Sequence, residues 1–292
     1  MKKMLFVLNA HAGKKKANKI LPDLIDIFNR ADYDVTTYIT GMDGAKKSVA
    51  AHAKDMDLVV CCGGDGTFNE TVAGVLEAGA DTPIGYIPTG STNDFAVSLG
   101  LPLKPKKAAK AIISGKPEFY DVGSFGGRNF TYVASFGAFT KSSYATPQSV
   151  KNIFGHTAYV LSGITEISQI KKLPVKIEID DEIIEGDYIF GAISNSTSIG
   201  GIMTLDPSQV DMSDGLFELM LIKSPKHIGQ LASCIHAIQT RKFNCEMITF
   251  RSAKRLVVHS AGDFNWTLDG EMEPGKKEVE VVNLQHAIRL MK

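Results

Sequence analysis

The chain has 292 residues, 44% of them hydrophobic and 22% charged, which is enough apolar material for real cores and too much for a disordered chain. Its 32 basic side chains balance 32 acidic ones, and a net charge of +0 argues against a general nucleic-acid binder. No apolar run is long enough to cross a bilayer, and the one at Met4–Leu8 stops at Asn9, too soon for a secretory leader.

The first part alternates strand and helix signals. Met4 to Leu8 reads as a buried strand, and Asn9 to Lys16 as a small, basic loop. Ile20, Leu24, Ile27 and Phe28 recur at helical spacing. Asp34–Ile39 is strand-like, Ala45–Lys54 helix-like, and Asp57–Cys62 a second buried strand that ends at Gly63. Thr67–Glu77 reads as a helix and Pro83–Ile87 as another strand. This β-α-β-α order predicts a parallel sheet covered by helices on both faces, with the ligand at the carboxyl ends of the strands.

After about Tyr120 the pattern changes. Strand-like segments at Asn129–Ser135, Val175–Ile179, Tyr188–Ser194, Leu216–Ile222, Arg255–His259 and Glu278–Val282 are separated by turns such as Asp180-Asp181, Ser213-Asp214-Gly215 and Glu273-Pro274-Gly275. Helical stretches are expected at Tyr159–Ile170 and Ile228–Thr240. The fold class is therefore an α/β domain with a parallel sheet over residues 1–121, completed by the C-terminal residues 284–292, and a mainly antiparallel β domain over residues 122–283. The cleft between two such domains is the default ligand site. Cys61, Cys62, Cys234 and Cys245 match no zinc or Cys-x-x-Cys spacing, and Cys61 and Cys62 read as buried free thiols, which fits a reducing, cytoplasmic setting.

Three loops carry chemistry. Gly63-Gly64-Asp65-Gly66-Thr67-Phe68-Asn69-Glu70 lies between a buried strand and a helix. Its glycines let the backbone approach a ligand, and the helix start offers amides and a positive dipole end to phosphate. Asp65 in that turn would repel phosphate unless a cation such as Mg²⁺ stands between them. Pro88-Thr89-Gly90-Ser91-Thr92-Asn93-Asp94-Phe95 sets hydroxyls, an amide and a carboxylate at another helix start, although a plain helix cap would look the same. Asn9-Ala10-His11-Ala12-Gly13, followed by Lys14-Lys15-Lys16, is weak alone. Two acidic turns follow in the second domain. Asp211-Met212-Ser213-Asp214-Gly215-Leu216 offers oxygen donors for a cation, and Leu268-Asp269-Gly270-Glu271 offers a carboxylate as proton acceptor; a polar β-turn is the bland reading of each.

Taken together, the three loops resemble the diacylglycerol kinase catalytic-domain family, whose pattern runs Asn-Pro-x-x-Gly, Gly-Gly-Asp-Gly-Thr and Gly-Thr-x-Asn-Asp. Here these segments are Asn9–Gly13, Gly63–Thr67 and Gly90–Asp94, with Ala10 in place of proline and Ser91 in place of threonine. The resemblance covers nearly the whole chain. It implies an NAD-kinase-like and diacylglycerol-kinase-like nucleotide domain and a β-rich lipid-substrate domain. ATP would lie on Asn9, Ala10, His11, Ala12, Gly13, Thr40, Gly63–Glu70, Ser91, Asn93 and Asp94. Mg²⁺ would be held by Asp211, Asp214 and the carbonyl of Leu216. Asp65 joins the catalytic set, and Asp269 or Glu271 supplies the general base. The implied partner is a lipid such as diacylglycerol, met at the membrane surface by a cytoplasmic enzyme that is transiently peripheral and compatible with a homodimer. The stretch Phe136–Lys151, with Gly155, Ala158 and Tyr159 beyond it, would line a lipid entrance or form a surface helix. Lys104–Lys107 and Lys171-Lys172 would touch anionic headgroups or stay solvated. The competing readings are an NAD kinase, which shares the Gly-Gly-Asp-Gly turn, and a non-catalytic nucleotide- or lipid-binding regulator.

Overall fold

The structure, a computed structural model, describes residues 1–12, 16–41, 43–137, 171–199, 203–205, 210–240, 242–243 and 245–292. They divide into two compact units. One is Met1–Val122 with Leu284–Lys292, the other Gly123–Asn283.

In the first unit β1 (Lys2–Leu8), α1 (Lys16–Asn29), β2 (Tyr33–Ile39), α2 (Lys46–His52), β3 (Leu58–Gly63), α3 (Asp65–Ala78) and β4 (Ile84–Pro88) alternate as the sequence predicts. The helices α4 (Asp94–Ser98) and α5 (Pro105–Ser114) then lead into β5 (Pro117–Phe125). The strand order is β2-β1-β3-β4, all parallel. β3 and β4 are buried along their whole length, which is why their sequences are continuous apolar runs rather than alternating ones. One face of the sheet, Met4, Phe6, Leu8, Leu58, Val60, Cys62 and Ile87, packs on Leu24 and Phe28 of α1 and on Ala108, Ala109 and Ile112 of α5. Opposite it α3 and α2 pack closely at Gly74, where an added Cβ would lie 2.6 Å from the Lys46 carbonyl. The last residues return to this unit, with Leu290 pairing parallel to Ile84 and Lys292 exchanging backbone hydrogen bonds with Lys116.

The chain leaves β1 to build β2 on one side and comes back to build β3 on the other. The sheet therefore has a topological switch between β1 and β3, the place where such folds bind ligands.

The second unit is antiparallel. Its strands are β6 (Arg128–Phe130), β7 (Val133–Gly137), β8 (Leu173–Ile179), β9 (Glu182–Ser194), the short pair β10 (Ser198–Ile199) and β11 (Met203–Thr204), β12 (Phe217–Lys223), β13 (Ile248–Ala253), β14 (Arg255–Ser260), β15 (Trp266–Leu268), β16 (Glu271–Glu273) and the first part of β17 (Glu278–Met291). α6 (Ile228–Thr240) stands between β12 and β13. The long β9 pairs first with β8 and then with both β7 and β12. Phe125, Phe136, Phe217, Trp266 and aliphatic side chains fill the core. The strand predicted over Asn129–Ser135 is two strands broken at Thr131-Tyr132, because the amides there serve a buried carboxylate instead of a ladder. The predicted helix at Tyr159–Ile170 lies outside the described residues.

Candidate active site

Three loops meet at the carboxyl edge of the parallel sheet. Asn9, just past β1, donates its backbone N–H to the Cys62 carbonyl at 2.9 Å and its Nδ2 to Thr67 Oγ1 at 2.8 Å. Its Oδ1 accepts the His11 N–H at 3.0 Å, folding the loop back on itself. One side chain thus spans the switch point from the first loop to α3. Gly64 caps α3 in an extended conformation and carries no side chain, and the first amide bonded within the helix is Phe68 N–H to the Gly64 carbonyl, so the preceding turn leads with amides and a positive dipole end. Gly64 also touches Gly90 of the third loop; a Cβ at Gly90 would stand 2.6 Å from the Gly64 Cα. Glycine is required at this crossing for want of room.

The third loop is tied as tightly. Asn93 adopts a left-handed backbone (φ 53°), accepts the Gly90 N–H on Oδ1 at 2.8 Å and donates Nδ2 to the Gly90 carbonyl at 3.1 Å. Asp65 is buried, and its carboxylate accepts the amides of Asp94 at 3.2 Å and Phe95 at 3.3 Å. It therefore caps α4 from another loop, so its charge does not by itself call for a cation. Glu70 accepts the Ala45 N–H at 2.7 Å, and Thr40, which follows β2, donates its N–H to the Leu8 carbonyl at 2.9 Å. Phe68 is fully buried, stacked on Tyr86 at 4.5 Å and on Phe95 at 4.6 Å, so a ligand can reach only its main chain. Cys61 and Cys62 are buried free thiols; burial pushes both up, Cys62 to about 12, and they are inert packing residues.

In the second unit Asp269 and Gly270 connect β15 to β16 in a two-residue turn with positive φ at both (48° and 84°), the type I′ geometry that Asp-Gly favours. The Asp269 carboxylate is buried and takes four donors: Thr131 N–H at 2.6 Å and Thr131 Oγ1 at 2.8 Å on Oδ2, Tyr132 N–H and Val133 N–H at 3.0 Å each on Oδ1. Its acceptor capacity is taken up by holding the β6–β7 break. Glu271 is different. It is exposed, and Arg128 holds its Oε2 at 2.7 Å while gripping Glu273 with its other nitrogen, also at 2.7 Å.

The acidic turn before β12 is built from Asx-type bonds. Asp211 Oδ1 accepts from Ser213 N–H and Oγ, and Asp214 Oδ1 accepts the Leu216 N–H at 2.8 Å. The Leu216 carbonyl accepts Nδ2 of Asn283 at 3.0 Å. Glu218, two residues on, is buried, and its carboxyl is pushed up to about 8 by that burial and by Asp214 and Asp211 nearby. Among the described residues, buried Glu218 Oε2 and Asn283 Oδ1 find no hydrogen-bond partner. The side chains of Asp211 and Asp214 and the Leu216 carbonyl offer oxygen donors, the kind that fits a hard divalent cation. Among the described residues, however, no three acidic, His or Cys side chains stand together as a ready-made ligand group.

Residues 3–125 match the diacylglycerol kinase catalytic domain, and residues 135–291 match the YegS C-terminal NAD kinase beta sandwich-like domain. The diacylglycerol kinase of Bacillus subtilis (strain 168) is 31% identical over 297 residues, covering 100% of this chain and 96% of that protein. The chain belongs to the diacylglycerol kinase catalytic-domain family. A second relative, the diacylglycerol kinase of Staphylococcus epidermidis (strain ATCC 12228 / FDA PCI 1200), is 31% identical over 296 residues and covers 99% of this chain and 92% of that protein. A crystal structure from Bacillus anthracis str. Sterne, attributed to a diacylglycerol kinase, superposes with a TM-score of 0.80 at 26% identity over 99% of this chain and 94% of that one. The chain is thus a lipid kinase that uses ATP, and the α/β domain followed by an antiparallel β domain is this family's architecture.

In this kinase the structure brings Asn9, Gly63–Glu70, Gly90, Asn93 and Asp94 together through the bonds just described. Gly13, Lys14 and Lys15, most of Phe136–Lys151, and Gly155, Ala158 and Tyr159 lie outside the described residues. Lys106 pairs with Asp23 at 2.7 Å and Lys171 with Asp263 at 3.1 Å, so both are engaged on the protein surface. Sequence reading missed Arg128, Glu218 and Asn283. Arg128 meets Glu271 across 143 positions of sequence and Asn283 meets Leu216 across 67, distances that no local pattern encodes.

Proposed function

We propose that this lipid kinase transfers the γ-phosphoryl group of ATP to the hydroxyl of diacylglycerol, giving a phosphatidate-type product. One observation carries the reading: the Asn9, Gly64 and Gly90 loops are locked together at the switch point of the sheet, around an α3 start that leads with amides, in a chain that matches the family along its length. The phosphates of ATP would lie against this edge, with the Asn9–Gly13 loop, Thr40, Gly63–Glu70, Ser91, Asn93 and Asp94 around them. Transfer through a loose transition state asks mainly for alignment and for charge stabilisation by oriented amides. The role of Asp65 is to keep the second and third loops in register through the α4 amides. Mg²⁺, where bound, would supply neutralising charge, and Asp211, Asp214 and the Leu216 carbonyl are the residues that would hold it.

Glu271 is the proton acceptor for the attacking hydroxyl. The four donors around Asp269 support a structural role for that carboxylate, and the exposure of Glu271 with Arg128 fixing one of its oxygens supports the catalytic role. No described helix is long and apolar enough to cross a membrane, so the kinase would meet its lipid from the water side, as a cytoplasmic enzyme touching the bilayer surface.

The test is transfer of radiolabelled γ-phosphate from ATP to diacylglycerol, a simple long-chain alcohol and NAD, the lipids in mixed micelles, beside a Glu271→Gln variant. Labelled diacylglycerol with the parent and a large loss with the variant is the expected result. Labelling of NAD alone would replace this reading with an NAD-kinase one, and no labelling of any acceptor would leave a binding protein.

A further inference from the structure

α6 is followed by a segment that doubles back along it. Past Thr240 the chain reverses, with the Lys242 N–H on the Ala237 carbonyl at 2.9 Å. It then runs back toward the start of the helix, where Gln230 Nε2 donates to Glu246 Oε1 at 3.0 Å. Gln230, Cys234 and Ala237 stand at i, i+4 and i+7, so they share one face of α6. The returning segment leaves the helix at Ala237 and is anchored again at Gln230. Cys245, the residue before Glu246, therefore passes between the two anchors, where Cys234 stands. Electrostatics agrees: burial first, and then the neighbouring Cys245 thiol, push Cys234 up to about 12. The two thiols differ in access. Cys234 is 4% exposed, whereas Cys245 is only half-buried. Beyond it the Ile248 N–H returns to the Cys245 carbonyl at 3.0 Å, and the chain enters β13. Cys61 and Cys62 offer no such pair, since neighbours along a strand point to opposite faces.

We propose that Cys234 and Cys245 form a reversible redox site, which a low-molecular-weight disulfide such as oxidised glutathione closes into a disulfide stapling α6 to the entry of β13. Cys245, as thiolate, attacks one sulfur of the oxidant. The sulfur–sulfur bond of the oxidant breaks, one glutathione thiolate leaves, and a mixed disulfide forms on Cys245. Cys234 then gives up its proton and attacks the Cys245 sulfur, and the second glutathione leaves. The chain loses two electrons and two protons, and the oxidant gains both as two thiols. The order follows from access: Cys234 is shielded and slow to ionise, so Cys245 reacts first and Cys234 resolves it. In a reducing compartment both thiols stay free, and the staple closes only when the thiol pool is oxidised. The site is independent of the phosphoryl-transfer reading.

The experiment equilibrates the full chain with graded oxidised glutathione at fixed reduced glutathione, in buffer and in unfolding urea. Free thiols are then blocked and the unreduced peptides mapped by mass spectrometry. The expected product is a peptide linking Cys234 to Cys245 within one chain, lighter than its thiol form by two hydrogens. In the folded chain it should need about tenfold less oxidised glutathione, or lower still, than in urea, because the fold holds the thiols together. Cys234→Ala should leave glutathione on Cys245, and Cys245→Ser should slow the uptake of oxidant about tenfold or more. Four results each overturn the proposal: glutathione retained on Cys245 in the parent, links between chains, thiols that stay free, and closure no easier than in urea. Should a variant fail to fold, the parent's peptide map decides by itself.

Discussion

Gly90→Ala tests whether the crossing of two loops is what the kinase depends on. The added Cβ would stand 2.6 Å from the Gly64 Cα, about 0.8 Å inside the 3.4 Å at which ordinary van der Waals contact begins, and 2.9 Å from Asn93 Oδ1. The nearer obstacle is backbone, so no side-chain rotation relieves it. Either the third loop moves off Gly64 by nearly an ångström or Asn93 gives up its grip on Gly90. Overpacking of this kind costs about 1–3 kcal/mol of stability. Its effect on rate is larger, because a displacement of about 1 Å in a positioning loop lowers turnover on the order of 10²-fold. The assay is ADP release with diacylglycerol micelles at saturating ATP, alongside a thermal melt. Gly41→Ala is the stability control, since its Cβ meets nothing within 4 Å. If Gly90→Ala turns over within about twofold of the parent, the contact between the loops is incidental and the site has been misjudged.

Other substitutions separate structure from chemistry. Asp269→Asn turns one carboxylate oxygen into a donor facing donors and should cost about 3 kcal/mol, read as a fall in Tm. Glu271→Gln removes only an exposed ion pair, so stability should change by under about 1 kcal/mol while kcat drops about 10²–10⁴-fold; the reverse pattern would exchange the two roles. Phe68→Ala opens a hole between Tyr86 and Phe95 and should cost about 3–5 kcal/mol by chemical denaturation. The pH dependence follows from Glu218, whose carboxyl is raised from 4.5 to about 8 on folding. The folded chain then binds the extra proton, so in EDTA stability is full below about pH 4.5 and is lost as pH rises through about 8. Glu218→Gln should flatten that part of the Tm profile, and an unchanged slope would assign it to another group.

The parallel sheet was legible in the residues because β3 and β4 are buried on both faces, which writes continuous apolar runs, and because those runs alternate with helical periods. The glycine loops were legible for a similar local reason, since a chain that must turn from strand to helix beside another backbone has few residues to choose from. Even there one contact was out of reach: the sequence read Asp65 as a charge that would need a cation beside phosphate, and only folding put the α4 amides against it. The break in the strand over Asn129–Ser135 was unreadable because the carboxylate that causes it comes from Asp269, more than a hundred positions away. The same holds for Arg128 beside Glu271 and for Asn283 beside Leu216. Sequence by itself determined the family, the glycine-rich loops after the parallel strands and the β-α order of the first unit, since these rest on local backbone geometry and on periods of burial. Tertiary structure alone decided which carboxylates are spent on holding the fold and which are left for chemistry, because a carboxylate's role depends on the donors around it, and those arrive from distant parts of the chain.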